Sequence, residues 1–235
     1  MNLLTKGSPM NSFGIILSIV LSIPVVASAQ ANPSHSSERL SMPSLPITAN
    51  PRVIAFAHLT PDAYTHVSTR SVVADGEPAS LTRYERSDGR GAGLGGEHFS
   101  LVVSDAGVLK GFTRMDISIV DGPLPSREHA REAALRFLQE EAPDLLQRME
   151  ISWIKPHDEI IQTTRGGRPA TVTLTGMKVK ARNLADGRWF WVIVGAENSI
   201  MVFERDIVWV TFPGHRKTEK WLHDAWLVEQ VQKQR

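Results

Sequence analysis

Residues 189–194 read Trp-Phe-Trp-Val-Ile-Val. An unbroken run of aromatic and β-branched residues of this length predicts a strand. Successive side chains of a strand point to opposite faces. Trp189, Trp191 and Ile193 therefore share one face, and Phe190, Val192 and Val194 the other. A strand with one wet face alternates apolar with polar residues. This one is apolar at both parities, so each side of its sheet needs cover. Burying one large aromatic side chain contributes about 2–3 kcal/mol, and a bare face would forfeit that several times over.

Two segments can supply the cover. Asp121-Gly122-Pro123-Leu124-Pro125 is a break, and Ser126 after it is a natural N-cap, with Glu128 in the first turn where the helix dipole favours an anion. Ala130, Ala133, Ala134, Phe137 and Leu138 then recur at helical spacing. From about Thr218 the tail reads as a second helix, with Trp221, Leu222, Ala225, Trp226 and Val228 on its apolar side. The expected class is α+β: an antiparallel meander packed against an N-capped helix of about 126–141, with a C-terminal helix covering part of the sheet.

The other strands follow from alternation and turn chemistry. Phe99–Val103 and Val108–Phe112 flank Ser104-Asp105-Ala106-Gly107, a hairpin signal. Ile151 and Trp153 open a strand that Pro156 should end. Arg165-Gly166-Gly167-Arg168-Pro169 is a turn. Apolar parity switches at Gly176, from Val172 and Leu174 to Met177, Val179 and Ala181, which predicts a β-bulge there. Asp186-Gly187 predicts a tight hairpin, followed by strands at Trp189–Val194 and Ile200–Val210. Residues 53–75 carry weak strand signals, clearest at Val53–Phe56, and 76–97 are polar and Gly-rich.

Ahead of these lie two segments of another kind. Lys6 is the only charge in the first 29 residues; an apolar run from Phe13 to Val26 and the small residues Ala27-Ser28-Ala29 follow. That order is a secretory signal peptide at 1–29, cleaved between Ala29 and Gln30. The run is too short for a spanning helix, which needs about 20 residues, so no stable membrane anchor is expected after cleavage, and the address is the periplasm or beyond. Residues 30–51, rich in Pro, Ser and Asn, read as a flexible linker. The remainder divides into a β-rich part at 52–122, which could be a degenerate repeat unit, and a part at 123–235 holding both helices and the main meander. The chain has no cysteine, which excludes disulfides, thiolate nucleophiles and a lipidated anchor. Without Lys6, basic and acidic side chains number 25 each. Such a balance gives no support for nucleic-acid binding.

Familiar motifs fail on context. Gly91-Ala92-Gly93-Leu94-Gly95-Gly96 matches G-x-G-x-x-G, but a polar stretch precedes it and a strand follows, so no helix N-terminus meets a phosphate. It reads as a flexible loop. Ser152-Trp153-Ile154-Lys155 matches S-x-x-K within a strand, where positions three apart face opposite ways. The eight histidines form no ligand pattern, and no metal or cofactor is expected. His157-Asp158-Glu159 reads as a solvated loop. Arg205, between Glu204 and Asp206, has the parity of Met201, Phe203, Ile207 and Trp209. It needs a carboxylate partner, a cleft, or a bulge that lets it reach water.

Ser126–Ala134 and the strands after it resemble the capped, alanine-spaced helix and sheet of the PepSY-like domains of bacterial envelope proteins. Phe99–Phe112, with its Asp105-Ala106-Gly107 turn, resembles the hairpin that closes such a unit. The resemblance implies a cystatin-like fold, roles in binding or in inhibiting or chaperoning secreted peptidases, and no active site. The function expected is a non-catalytic binding or regulatory module of the cell envelope, acting on a protein or peptide through Trp189, Trp191, Arg205 and Trp221. Two alternatives stay open: an envelope hydrolase with His and Asp/Glu converging near His157, His215 or His223, and a structural or assembly subunit.

Overall fold

The structure, a computed structural model, describes residues 51–233. The signal peptide expected at 1–29 and residues 30–50 of the expected linker lie outside the described residues. A helical turn, α1 (Pro51–Ile54), opens the described chain. Val53 is buried there, so the strand expected at Val53–Phe56 is a turn of helix instead.

Four strands follow in a meander: β1 (Tyr64–Ala74), β2 (Glu77–Arg86), β3 (His98–Ser104) and β4 (Leu109–Met115). The chain then crosses through α2 (Arg127–Glu141) and the short α3 (Pro143–Leu146). A second meander comprises β5 (Met149–Arg165), β6 (Arg168–Asn183), β7 (Trp189–Val194) and β8 (Ile200–Ile207). A small ribbon, β9 (Trp209–Val210) with β10 (His215–Arg216), and α4 (Asp224–Lys233) complete it. The two meanders form one antiparallel sheet of eight strands, ordered β1-β2-β3-β4-β8-β7-β6-β5. Residues 52–122 and 123–235 meet in that sheet at the β4–β8 seam, which holds three residue pairs: Gly111↔Glu204, Phe112↔Phe203 and Thr113↔Val202.

The class is therefore largely β, and the balanced α+β expectation is overturned. The shortfall lay in β1 and β2. Most of β1 is exposed at the sheet edge, so its Ser, Thr and Arg side chains need no apolar alternation. Much of the polar stretch after residue 76 is β2.

One face of the sheet bears α2. The side chain of Ser126 accepts from the His129 N–H and caps it. Ala130, Ala133 and Ala134 are buried, and their small size lets the helix lie close on the sheet. Tyr84, Phe99, Phe112, Phe137 and Phe203 form a row of tilted and edge-on rings with centroids 5.1 to 5.9 Å apart. Four belong to strands of both meanders and Phe137 to α2, so the row ties helix to sheet across the seam.

The 189–194 strand is buried on both sides apart from its first residue, Trp189, which is half-buried. Phe190, Val192 and Val194 join the helix-face core. Trp191 and Ile193 join a second core with Leu174, Met201, Ile119 and Ile161. The far-side cover at this point is thus the turn at Ile117–Val120 and the β5–β6 hairpin. The C-terminal tail covers a different region, placing Leu222 against Val72, Leu81 and Val102. Its helix begins at Asp224 and not near Thr218, so Trp221 and Leu222 lie in the turn that precedes it.

Four local expectations change. No bulge falls at Gly176, which pairs in register with His157; the register shift lies further along, between Ile151 and Trp153 of β5, opposite Ala181 and Lys180 of β6. Gly176 is instead a matter of room. A Cβ there would stand 2.5 Å from Ile193 Cγ2 and 2.8 Å from Met201 Sδ. The apolar parity switches because the two ends of β6 are covered on different faces. β5 continues through Pro156, which an edge strand tolerates because its outer N–H groups have no ladder partner. Residues 184–188 form a longer loop than a two-residue hairpin, closed by the Asn183 N–H donating to Arg188 O at 2.8 Å. The strand expected at Ile200–Val210 bulges at Asp206, whose φ is 60°, and ends at Ile207, with Trp209–Val210 in the separate ribbon. That bulge moves Ile207 to the face opposite Phe203.

Candidate functional site

The far face of the sheet carries a cleft of about 230 Å³. It lies over the β4–β8 seam, between β3, β5 and the start of α4, and Thr113 and Val202 of the seam both line it. Met115, Ile161, Val202 and Leu222 give it apolar walls, and Ile160 and Val228, 66% and 37% exposed, stand at its rim.

Its polar lining comes from strand parity. Phe99 and Phe112 point to the helix face, so His98 and Thr113 point to the far face. His98 pairs with Met115 and Ser100 with Thr113, which sets Thr113 diagonally across from His98. Both are almost wholly buried, 3% and 1% exposed. Neither His98 Nε2 nor Thr113 Oγ1 has a hydrogen-bond partner. Buried polar atoms are rarely left so, at about 1–3 kcal/mol each.

The protonation of His98 follows from its neighbours. Its Nδ1 lies 2.8 Å from Gly96 O. A carbonyl only accepts, so Nδ1 carries the proton and Nε2 presents a lone pair. Burial pushes the imidazole below its ordinary range, against the nearby Asp224 carboxylate, whose Oδ2 is 3.5 Å from Nδ1. Asp224 is itself held by Arg83, which donates from both terminal nitrogens at 2.9 and 3.1 Å, and by the Gly95 N–H at 2.6 Å. The Gly91–Gly96 loop is therefore a clasp packed against α4 and not a flexible loop. The chain doubles back so tightly that a Cβ on Gly96 would fall 1.6 Å from Gly91 O.

Beside the cleft lies a buried ion cluster. Glu204, 2% exposed, accepts from Arg216 at 2.7 Å and from His223 Nε2 at 3.0 Å. Burial alone would raise its pKa, but His223 and Arg216 outweigh burial and hold it at about 2. Burial would likewise lower His223, and the Glu204 carboxylate reverses that and raises it. Lys178 is brought down to about 8, by burial first, with Glu204 opposing. Its ammonium sits 3.9 Å from the centre of the Trp191 ring.

The residues expected to form a binding surface do not form one cluster. Trp191 is buried beneath Lys178. Trp189 is half-buried, with Lys180 4.3 Å from its ring centre. Trp221 packs edge-on against Trp226 and donates its indole N–H to Val73 O at 2.7 Å. Arg205 is ion-paired through both terminal nitrogens to Asp144 at 3.0 and 2.5 Å, and Asp206 lies beside its Nε. It has the carboxylate partner its parity demanded, next to the bulge at Asp206. His157 lies in β5 and bonds Glu159 at 3.2 Å, so the loop expected there is strand. His215 lies in the β9–β10 ribbon.

His98, Thr113 and Asp224 were missed. No local pattern joins positions 98 and 224; the one signal was the alternation Phe99-Leu101-Val103, which turns His98 to the opposite face. Among the described residues, no group of three or more His, Asp or Glu is arranged to hold a metal. Comparison with protein-family models, curated proteins and solved structures finds no match.

Proposed function

We propose that the chain is an exported, non-catalytic binding module whose recognition site is the cleft beneath the C-terminal segment. The observation that carries this reading is the cleft of about 230 Å³ itself, walled by Met115, Ile161, Val202 and Leu222 and edged by the polar residues His223 and Asp224. Export rests on the signal-like first 29 residues.

The test is NMR titration of the chain with a panel of small aromatic fragments. Shift changes centred on His98, Thr113, Leu222 and Val228, and abolished by Ala225→Trp at the rim, support the reading. No binding, or binding that ignores Ala225→Trp, overturns it.

One observation favours a hydrolase as a second reading. Gly96 O and Asp224 fix the His98 tautomer and leave a lone pair on Nε2, as a general base requires. Against it, Nε2 has almost no accessible surface through which to reach a water or a substrate, and Thr113 Oγ1 makes no hydrogen bond to it. Turnover of p-nitrophenyl esters that His98→Ala abolishes would favour the hydrolase.

A further inference from the structure

We propose that the β9–β10 ribbon docks the protein reversibly on an anionic phospholipid bilayer, its apolar tip entering the membrane interface and the lysines and arginine at its base facing the lipid phosphates.

The tip follows from the register. His215 pairs with Val210 and Arg216 with Trp209, so residues 211–214 form the turn. Phe212 stands in that turn 89% exposed, and Trp209 at the base is 47% exposed. Three residues separate them, a reach of about 10 Å at most. Leu184, 50% exposed, lies on the 184–188 loop, and Asp186, Gly187 and Arg188 of that loop line one groove with Trp209 and Thr211. Single exposed apolar side chains are ordinary; three at one end of a sheet mark a contact surface. Aromatic side chains settle at the bilayer interface, and a projecting ring enters a fluid apolar layer without needing a matching cavity.

The base carries the charge. Trp153 pairs with Lys180, and Trp189 with Arg182, so the four share the far face of the sheet. The Lys180 ammonium lies 5.6 Å from the Trp153 ring centre, 4.3 Å from that of Trp189 and 5.6 Å from that of Trp209. The Lys155 ammonium is 5.9 Å from the Trp153 ring centre, and the Arg182 guanidinium 5.7 Å from that of Trp189. Three cations and three rings thus form one continuous cluster. Lys155, Lys180 and Arg182 have no carboxylate partner among the described residues. Asp186 faces Arg188 instead, and Glu150, across the strands from Arg182, makes no ion pair with it. Exposed Lys217, whose N–H closes the base of the ribbon on Val208 O, adds a fourth cation.

The excess is local, since the chain as a whole is close to neutral. An anionic bilayer answers both parts at once: its phosphates match the cations, and its acyl boundary takes Phe212 and Trp209. A soluble polyanion would leave the tip bare, and an apolar protein surface would leave the cations unmatched.

The chain has no cysteine, so a single introduced one carries an environment-sensitive NBD label, at Thr211→Cys beside the tip or at Thr173→Cys towards the other end of β6. The full chain is titrated with vesicles of phosphatidylcholine, alone or with an equal part of phosphatidylglycerol. Because the label reports the ribbon, attachment through the apolar run at 13–26 leaves it silent. On the anionic vesicles the label at 211 should brighten and shift to the blue, and the label at 173 should not. Phe212→Ser should weaken the binding at least about tenfold. Lys155→Gln with Arg182→Gln should weaken it about 25-fold, at about fivefold for each cation. Circular dichroism should be unchanged in both variants. Silence of the label at 211, an equal response to phosphatidylcholine alone, or a response indifferent to Phe212→Ser overturns the proposal. So does a stronger response to alginate, an anionic polysaccharide, than to vesicles. A response that grows with protein concentration before any vesicle is added also overturns it and makes the tip a contact between copies of the chain.

Discussion

At the scale of single residues, the far face holds polar groups that a stability-optimised sheet would not. Thr113 has a buried hydroxyl with no partner. Replacing it by Val removes an unsatisfied group and keeps the shape, so Thr113→Val should stabilise the free chain by about 1 kcal/mol in urea unfolding. The Glu204 cluster carries a pH dependence with a definite sign. Glu204 is held at about 2, below its ordinary 4.5, so its contribution is complete above 4.5 and disappears as the pH falls towards 2. His223 is raised above 6.5, so its contribution is complete below 6.5 and disappears as the pH rises through its elevated value. Protection of the α4 amides, taken relative to their intrinsic exchange rate at each pH, should accordingly be greatest between about pH 4.5 and 6.5. His223→Gln should remove the alkaline loss and leave the acid one. Glu204 and His223 were visible in the sequence as charges, but their partnership was not. It joins a strand to a turn 19 residues on, and only the path of β9 and β10 brings the two together.

At the scale of elements, the tail from Arg216 to α4 is a strap across the far face. Arg216 and His223 fasten it to β8, Asp224 to β2, and the Trp221 indole to β1. Leu222 seats over Gly111, where a Cβ would stand 2.9 Å from Leu222 Cδ1 and 2.4 Å from Phe203 O. Leu222→Ala should therefore loosen residues 217–233 while the sheet stays folded, seen as faster exchange and earlier proteolysis confined to the tail. Gly111→Ala should loosen the tail and also strain the β4–β8 seam, at about 1–3 kcal/mol of global stability. The elements differed in how far the sequence disclosed them. The capped helix was legible because Ser126, Glu128 and the alanine spacing are local signals. The Phe99–Phe112 hairpin was legible because Asp105-Ala106-Gly107 is turn chemistry. α4 was read early by about six residues, since Trp221 and Leu222 are apolar at helical spacing yet are used by the turn that docks the strap.

At the scale of the whole molecule, the core is two layers separated by the sheet. The helix-face layer crosses the seam through the ring row centred on Phe137. Phe137→Ala should cost about 3–5 kcal/mol, with loss of α2 and of both meanders in one transition by circular dichroism and Trp fluorescence. That the 189–194 strand required cover on both faces was legible from its composition alone. What would cover the far face was not, because that cover comes from the Ile117–Val120 turn and from a hairpin 16 to 17 residues long on each arm. The share of sheet in the fold was under-read for the same kind of reason: an edge strand such as β1 can be mostly exposed and largely polar and still pair with β2 from Tyr64 to Ala74, interrupted only at Val67.

The β4–β8 contact joins two four-stranded halves through three residue pairs, against sixteen along β5–β6. Pulled from opposite edges, the molecule should part at that line before any hairpin unzips, opening as a book does at its spine. Thr113 and Val202 face each other across that line, and the cleft sits directly above them. An occupant would then act as a rivet through the spine, raising the force at which the halves separate as well as the temperature at which the chain melts.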